Sequence, residues 1–211
     1  MGCTPVVGPL LEIRTIPQVA PDLADVAALV FTSRNGVAAL VDLFTASPSM
    51  PAPSLPVLTV GDATAEAARA AGFGDVRSAA GDLDDLAALI RSTWTDPAAV
   101  LLHPGAREPA GDLAAAVGKA AIVRALPVYE AIETGAAPPP AFDIVLLHSP
   151  RAASALSRAL APEQAAGRLA VAISPAAARP LGAIGFREIR VAATPDETAL
   201  IAALGNGPRP V

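Results

Sequence analysis

The chain repeats itself at a long separation. VFTSRNGVAAL at 30–40 is echoed by LLHSPRAASAL at 146–156, which sets Thr32-Ser33 on His148-Ser149 and Leu40 on Leu156. PVLTVGDATAEAARAAGFGDVR (56–77) lies over LAVAISPAAARPLGAIGFREIR (169–190), and DLDDLAAL (82–89) over PDETALIAAL (195–204). The offset holds at about 115 residues, whereas solenoid units run to roughly 20–50. The repeat is therefore a duplicated domain.

Each copy alternates strand and helix. In the first, apolar runs predict strands over 26–31, 57–60, 76–78 and 100–102, with helices over 36–44, 63–71 and 83–92. Gly72 follows the second helix as a good C′ residue. Strands with uniformly apolar interiors, separated by helices of about ten residues, imply parallel sheets covered on both faces. A further match sets GCTPVVGPLLEI (2–13) over AAIVRALPVYEA (120–131), with Pro9 on Pro127 and Glu12 on Glu130. The expected fold class is thus α/β, with two flavodoxin-like parallel-sheet domains joined by a two-stranded linker. The first domain, 14–126, is inserted into a second made of 1–13 and 134–211, with linkers near 9–16 and 126–134. Pro9 and Pro127 suit edge or linker strands. Internal symmetry also predicts that the second domain lacks its first strand–helix unit, the counterpart of VLLHPGAREPAGDLAAAVGK (100–119), so that a truncated chain or a late start codon is expected.

Composition removes several function classes. A net charge of −5, with one Lys among the fifteen basic residues, argues against a nucleic-acid partner. A single cysteine, Cys3, excludes an internal disulfide framework. No apolar run approaches the roughly 18 residues of a membrane span, and the first residues lack the pattern of a signal peptide. A cytoplasmic monomer without membrane attachment is expected.

Ligands of doubly wound sheets bind beyond the carboxyl ends of the strands. Those ends are Thr32-Ser33-Arg34-Asn35, Gly61-Asp62-Ala63-Thr64, His103-Pro104-Gly105, His148-Ser149-Pro150-Arg151 and Ser174-Pro175, each expected to open a helix. Helix N-termini expose unpaired N–H groups and attract anions. Five of them facing a cleft between domains suit a ligand with several carboxylates, even on an acidic protein. Ser33, Ser149 and Ser174 equally fit plain N-caps. His103 and His148, each after a Leu-Leu pair, fit hydrogen-bonded structural roles. No metal site is expected, because two His and one Cys lie far apart without ligand spacing. Asp84-Asp85 suits the first turn of a helix. Tyr129, the sole tyrosine, falls in the linker beside the cleft, where packing and chemistry are both open.

Together these segments resemble the uroporphyrinogen-III synthase family. FTSRNGV (31–37), VGDATAEAARAAGF (60–73), LLHPGAREPAGDL (101–113), the tyrosine linker PVYEAIET (127–134), DIVLLHSPRAASAL (143–156), AISPAAARPLGAIGF (172–186) and PDETALIAAL (195–204) follow the family's order and cover almost the whole chain. The chain departs from the family at its missing first strand and helix, at His148 in place of Thr, and at Ser174 and Ala177 in place of Gly and Thr.

The resemblance implies a cofactor-independent, cyclising hydro-lyase of haem biosynthesis. Its substrate would be hydroxymethylbilane, a linear tetrapyrrole with acetate and propionate arms, closed with loss of water and inversion of the last ring. It implies Tyr129 as the catalytic residue aiding hydroxyl departure. Thr32, Ser33, Asn35, Gly61, Thr64, Gly105, Ser149 and Ser174 would supply amides and hydroxyls, with Arg34, Arg107 and Arg151 adding charge. The competing expectations are a hinge-type small-molecule binding protein without catalysis and an inactive truncated paralogue.

Overall fold

The computed structural model describes residues 3–46 and 54–205. Contacts divide the chain into two units, Ile13–Ala131 and the residues up to Glu12 together with those from Ile132 onward. As far as residue 133 the elements are β1 (Leu11–Thr15), β2 (Val26–Phe31), α1 (Arg34–Thr45), β3 (Val57–Thr59), α2 (Asp62–Ala70), β4 (Val76–Ser78), α3 (Leu83–Thr93), β5 (Val100–Ala106), α4 (Leu113–Val117) and β6 (Ile122–Glu133). They form one sheet in the order β1-β6-β5-β2-β3-β4. From β6 to β4 every neighbouring pair is parallel. Along β1 and β6 the partners run in opposite senses, with Ile16 N–H donating to Val128 O and Thr134 N–H to Leu10 O.

Strand β2 shows why this sheet forms. It is apolar at every position, and successive side chains point to opposite faces. Leu29 and Phe31 join Val37, Leu40 and Phe44 of α1 and Phe73 in one core. Ala28 and Val30 join Leu86 and Ile90 of α3 and Leu113 and Val117 of α4 in the other. A strand buried on both sides needs this continuous apolar run. The helices are closed by local chemistry. Asp82 accepts from the amides of Asp84 and Asp85, and Asp85 accepts in return from Asp82 N–H, a capping box on α3. α2 ends in a Schellman motif. Gly72 adopts φ +95°, its N–H bonds Arg69 O, and Phe73 N–H reaches back to Ala68 O.

One sequence expectation needs correction. The strand expected over 100–102 continues to Ala106, because β6 ladders along it through His103–Ala125, Pro104–Leu126 and Gly105–Pro127. His103-Pro104-Gly105 therefore opens no helix; α4 begins only at Leu113, capped by Asp112. The segment from 126 onward, expected to be extended, lies in the second half of β6. Pro127 sits there past the end of β1, where Gln18 Nε2 donates to its carbonyl.

The second unit holds β7 (Ile144–Leu147), α5 (Pro150–Ala159), α6 (Pro162–Ala165), β8 (Leu169–Ala172), α7 (Pro175–Ala178), a 3₁₀ turn at Arg179–Leu181, β9 (Glu188–Val191) and α8 (Glu197–Ala202). Its sheet, β7-β8-β9, is parallel throughout. β8 alternates as β2 does, with Ala170 packed among Leu147, Leu156 and Leu181 and Leu169 and Val171 against Leu200. The α/β class with parallel-dominated sheets agrees with the reading from strand–helix alternation.

Residue 36 is a glycine inside α1, and a Cβ there would lie 2.4 Å from Pro104 O. Gly36→Ala is expected to destabilise the protein by about 1–3 kcal/mol through overpacking. An unobstructed helix position would gain up to roughly 1 kcal/mol from the same change. Urea unfolding of the variant checks the sign.

Candidate active site

The first unit reverses its strand order between β2 and β5. From β2 the chain adds β3 and β4 on one side, then crosses back to place β5 and β6 on the other. The carboxyl ends of β2 and β5 thus form the switch point at which open α/β sheets bind ligands. Thr32, Ser33 and Asn35 lie at this point, all half-buried, with Arg34 exposed. Ser33 Oγ accepts from Asn35 N–H at 3.2 Å and caps α1. Thr32 Oγ1 lies 3.1 Å from His103 Nε2 on the adjoining strand. His103 is 7 % exposed, and desolvation by burial holds its imidazole below the ordinary histidine range.

Gly105 is there for space. A Cβ on it would stand 3.0 Å from His103 Nε2 and 3.1 Å from Cε1. β5 runs straight through it, so Gly105 opens no helix. His103 also lines a cavity of about 420 Å³ with Gly111, Asp112, Leu113, Val123 and Ala125, beside the middle of β5, the first part of β6 and the start of α4.

On the neighbouring strand, Gly61 caps α2 with its backbone alone. Its carbonyl accepts from the amides of Thr64 and Ala65, and Thr64 is buried at 6 % exposure. Arg107 follows β5. Its N–H donates to Tyr129 O and its guanidinium pairs with Glu130 at 2.6 Å, so much of its charge is already answered. Tyr129 is only 8 % exposed. Its ring packs against Ala39 and Leu43 of α1 and Val128, with Ala106 and Leu126 beside it. No hydrogen bond reaches its phenol oxygen among the described residues, and no fully buried side-chain oxygen or nitrogen there lacks a partner. The oxygen is therefore the end of the ring that meets solvent. The linker tyrosine of the sequence reading is thus a packed residue of β6 with its polar tip outward.

In the second unit, Ser149 Oγ accepts from Ala152 N–H and caps α5, whose first residues are Pro150 and Arg151. Ser174 caps α7 in the same way through Ala177 N–H, but α7 has only four residues before the 3₁₀ turn. His148, beside Ser149, pairs with Glu197 Oε2 at 2.8 Å. All three candidate serines therefore cap helices. Capping uses an oxygen lone pair and leaves each hydroxyl hydrogen available to a ligand. Among the described residues no three His, Cys, Asp or Glu side chains converge as a metal site would require. No helix there is long and apolar enough to cross a membrane.

The sequence reading did not find the pairing of Thr32 with His103. The two are 71 residues apart, and only the strand order makes them neighbours.

The model of the HEM4 family, described as uroporphyrinogen-III synthase HemD, matches residues 1–202. A solved uroporphyrinogen-III synthetase from Helicobacter pylori is 19% identical over 92% of this chain and 88% of its own, with a TM-score of 0.69. A mutant uroporphyrinogen III synthase from Thermus thermophilus is 18% identical over 96% of this chain and 87% of its own, with a TM-score of 0.57. At these identities the solved structures speak for the fold. No curated protein matches the chain.

The buried imidazole makes stability depend on pH. Its protonation is suppressed in the folded state, so the unfolded chain binds more protons as pH falls below about 6.5, the unperturbed histidine value. The contribution from His103 is complete above that pH and is lost as the solution is acidified toward pH 5. The urea midpoint of the wild type should fall more steeply between pH 7 and 5 than that of His103→Gln; parallel slopes would contradict the burial argument.

Proposed function

Because the chain belongs to the uroporphyrinogen-III synthase family, matched over residues 1–202, we propose that it closes hydroxymethylbilane to uroporphyrinogen III in haem biosynthesis. The single observation that carries this reading is that family match across nearly the whole chain. The candidate residues at the parallel strand ends are consistent with it, and nothing favours a binding protein without catalysis or an inactive paralogue. The working unit is taken as a monomer in the cytoplasm, acting without nucleic acid, membrane, metal or cofactor. Its two units are read as copies of one flavodoxin-like design, linked through β1 and β6.

The chemistry asks the protein for orientation and a proton. The substrate hydroxyl leaves as water, which requires protonation, and an electrophilic azafulvene results. Attack by the substituted position of the last ring gives a spiro intermediate, and fragmentation with reclosure inverts that ring. Spontaneous closure of the free chain gives the uninverted type I isomer, so holding the bilane in one conformation decides the product. The backbone amides at the starts of α1, α2 and α5 each favour a carboxylate by about 0.3–1 kcal/mol when exposed. The hydroxyls of Thr32, Ser33, Thr64, Ser149 and Ser174, the amide of Asn35 and the backbone at Gly61 add hydrogen bonds. Arg34 contributes charge, and Arg107 and Arg151 do so to the extent that their present partners release them. Tyr129, with its phenol oxygen toward solvent, supplies the proton to the departing hydroxyl.

Freshly generated hydroxymethylbilane tests the reading. With the protein present, the type III isomer should exceed type I; type I alone would refute it. Tyr129→Phe should lower kcat by on the order of 100-fold, the scale of general acid catalysis, with KM nearly unchanged. An unaltered kcat would remove Tyr129 from the reaction.

A further inference from the structure

His103 is the one buried histidine among the described residues, and the proposed reaction leaves it without a role. It lies on β5 at the switch point, its Nε2 is 3.1 Å from Thr32 Oγ1, and Gly105 leaves the room its ring occupies. Thr32 is the first residue beyond β2. A threonine hydroxyl has one hydrogen to give. If Nε2 accepts that hydrogen, Thr32 turns only lone pairs toward the end of the sheet, and these repel a carboxylate. If Nε2 carries the imidazole proton, it donates to Oγ1, and the Thr32 O–H is free to donate outward.

We propose that His103 is a positioning residue for substrate: its Nε2–H holds Thr32 Oγ1 and so turns the Thr32 hydroxyl hydrogen toward a carboxylate arm at the β2 and β5 strand ends. The proposal rests on the reading of Thr32 as a contact to the tetrapyrrole. It goes beyond that reading by assigning the donor state of Thr32 to a residue on another strand. The bond also restricts the rotamer of Thr32, so the donor direction is set before substrate arrives. His103 also lines the 420 Å³ cavity. Asp112, the charged residue lining that cavity, is engaged in capping α4 through Ala115 N–H.

Kinetics with hydroxymethylbilane, normalised to folded protein, test this with three variants and their combinations. His103→Leu removes the donor and should raise KM about tenfold, the scale of one hydrogen bond to a charged group, with kcat within about twofold. His103→Gln, whose amide can donate to Thr32, should recover most of the loss. Thr32→Val should raise KM to a similar extent, and His103→Leu should add nothing in that background, since the two residues act through one bond. A merely structural histidine would change the folded fraction and leave KM alone. Should His103→Leu not fold, the tautomer read by long-range ¹H–¹⁵N NMR on the wild type decides. Nε2–H in the presence of uroporphyrinogen III is expected, and Nδ1–H overturns the proposal. An unchanged KM in His103→Leu, or effects that multiply with Thr32→Val, also overturns it while type III product still forms. A wild type that yields only type I product overturns the underlying reading and the proposal with it.

Discussion

Helix α1 can begin where it does only because residue 36 has no side chain. The carbonyl of Pro104 occupies the place a Cβ would take, at 2.4 Å. This contact of backbone on backbone draws the start of α1 over the far end of β5. It sets Thr32 beside His103, and Ala39 and Leu43 against Tyr129. The surroundings of Thr32 and Tyr129 thus depend on one helix–strand approach.

Polar groups at the strand ends have the chemistry for two purposes at once. Ser33, Ser149 and Ser174 each satisfy an amide that their helix would otherwise leave unpaired, a service worth about 1 kcal/mol apiece. Stability and recognition are therefore not competing explanations for these serines. An acidic chain can still hold an acidic guest, because the attraction comes from oriented N–H groups within a few ångströms and the net charge acts over longer, screened distances. The ion pair of Arg107 with Glu130 shows the opposite arrangement, a cation already occupied by a neighbour of its own.

Much of the fold was legible in the sequence. The apolar run of β2, the Gly72-Phe73 stop after α2 and the echo of both in the second half carry their structure in local chemistry. The length of β5 was not legible. Pro104 and Gly105 look like a strand terminator, and their place in a ladder comes from β6, which follows later in the chain. The candidate site could be read from the sequence as a set of strand ends but not as neighbours. That Thr32 meets His103 follows from strand order, which hydrophobic periodicity does not encode. The environment of Tyr129 was hidden for the same reason: a residue that reads as linker is packed because α1 lies across β6. The lack of a side chain at Gly105 leaves room for the His103 ring, which the sequence does not show either.

The division of the chain has a consequence for how it is made. Residues up to Glu12 belong with those from Ile132 onward, while Ile13–Ala131 form a unit by themselves. During synthesis, the segment ending at Glu12 emerges from the ribosome before Ile13–Ala131 but finds its companions after it. The central unit can mature while that segment waits, in keeping with the general order of domain folding on the ribosome. β1 is thereby a deferred strand: it can pair with β6, down to Thr134 N–H on Leu10 O, only once residues 122–134 have emerged, and Leu10, just before it, waits longer for the core of the second unit.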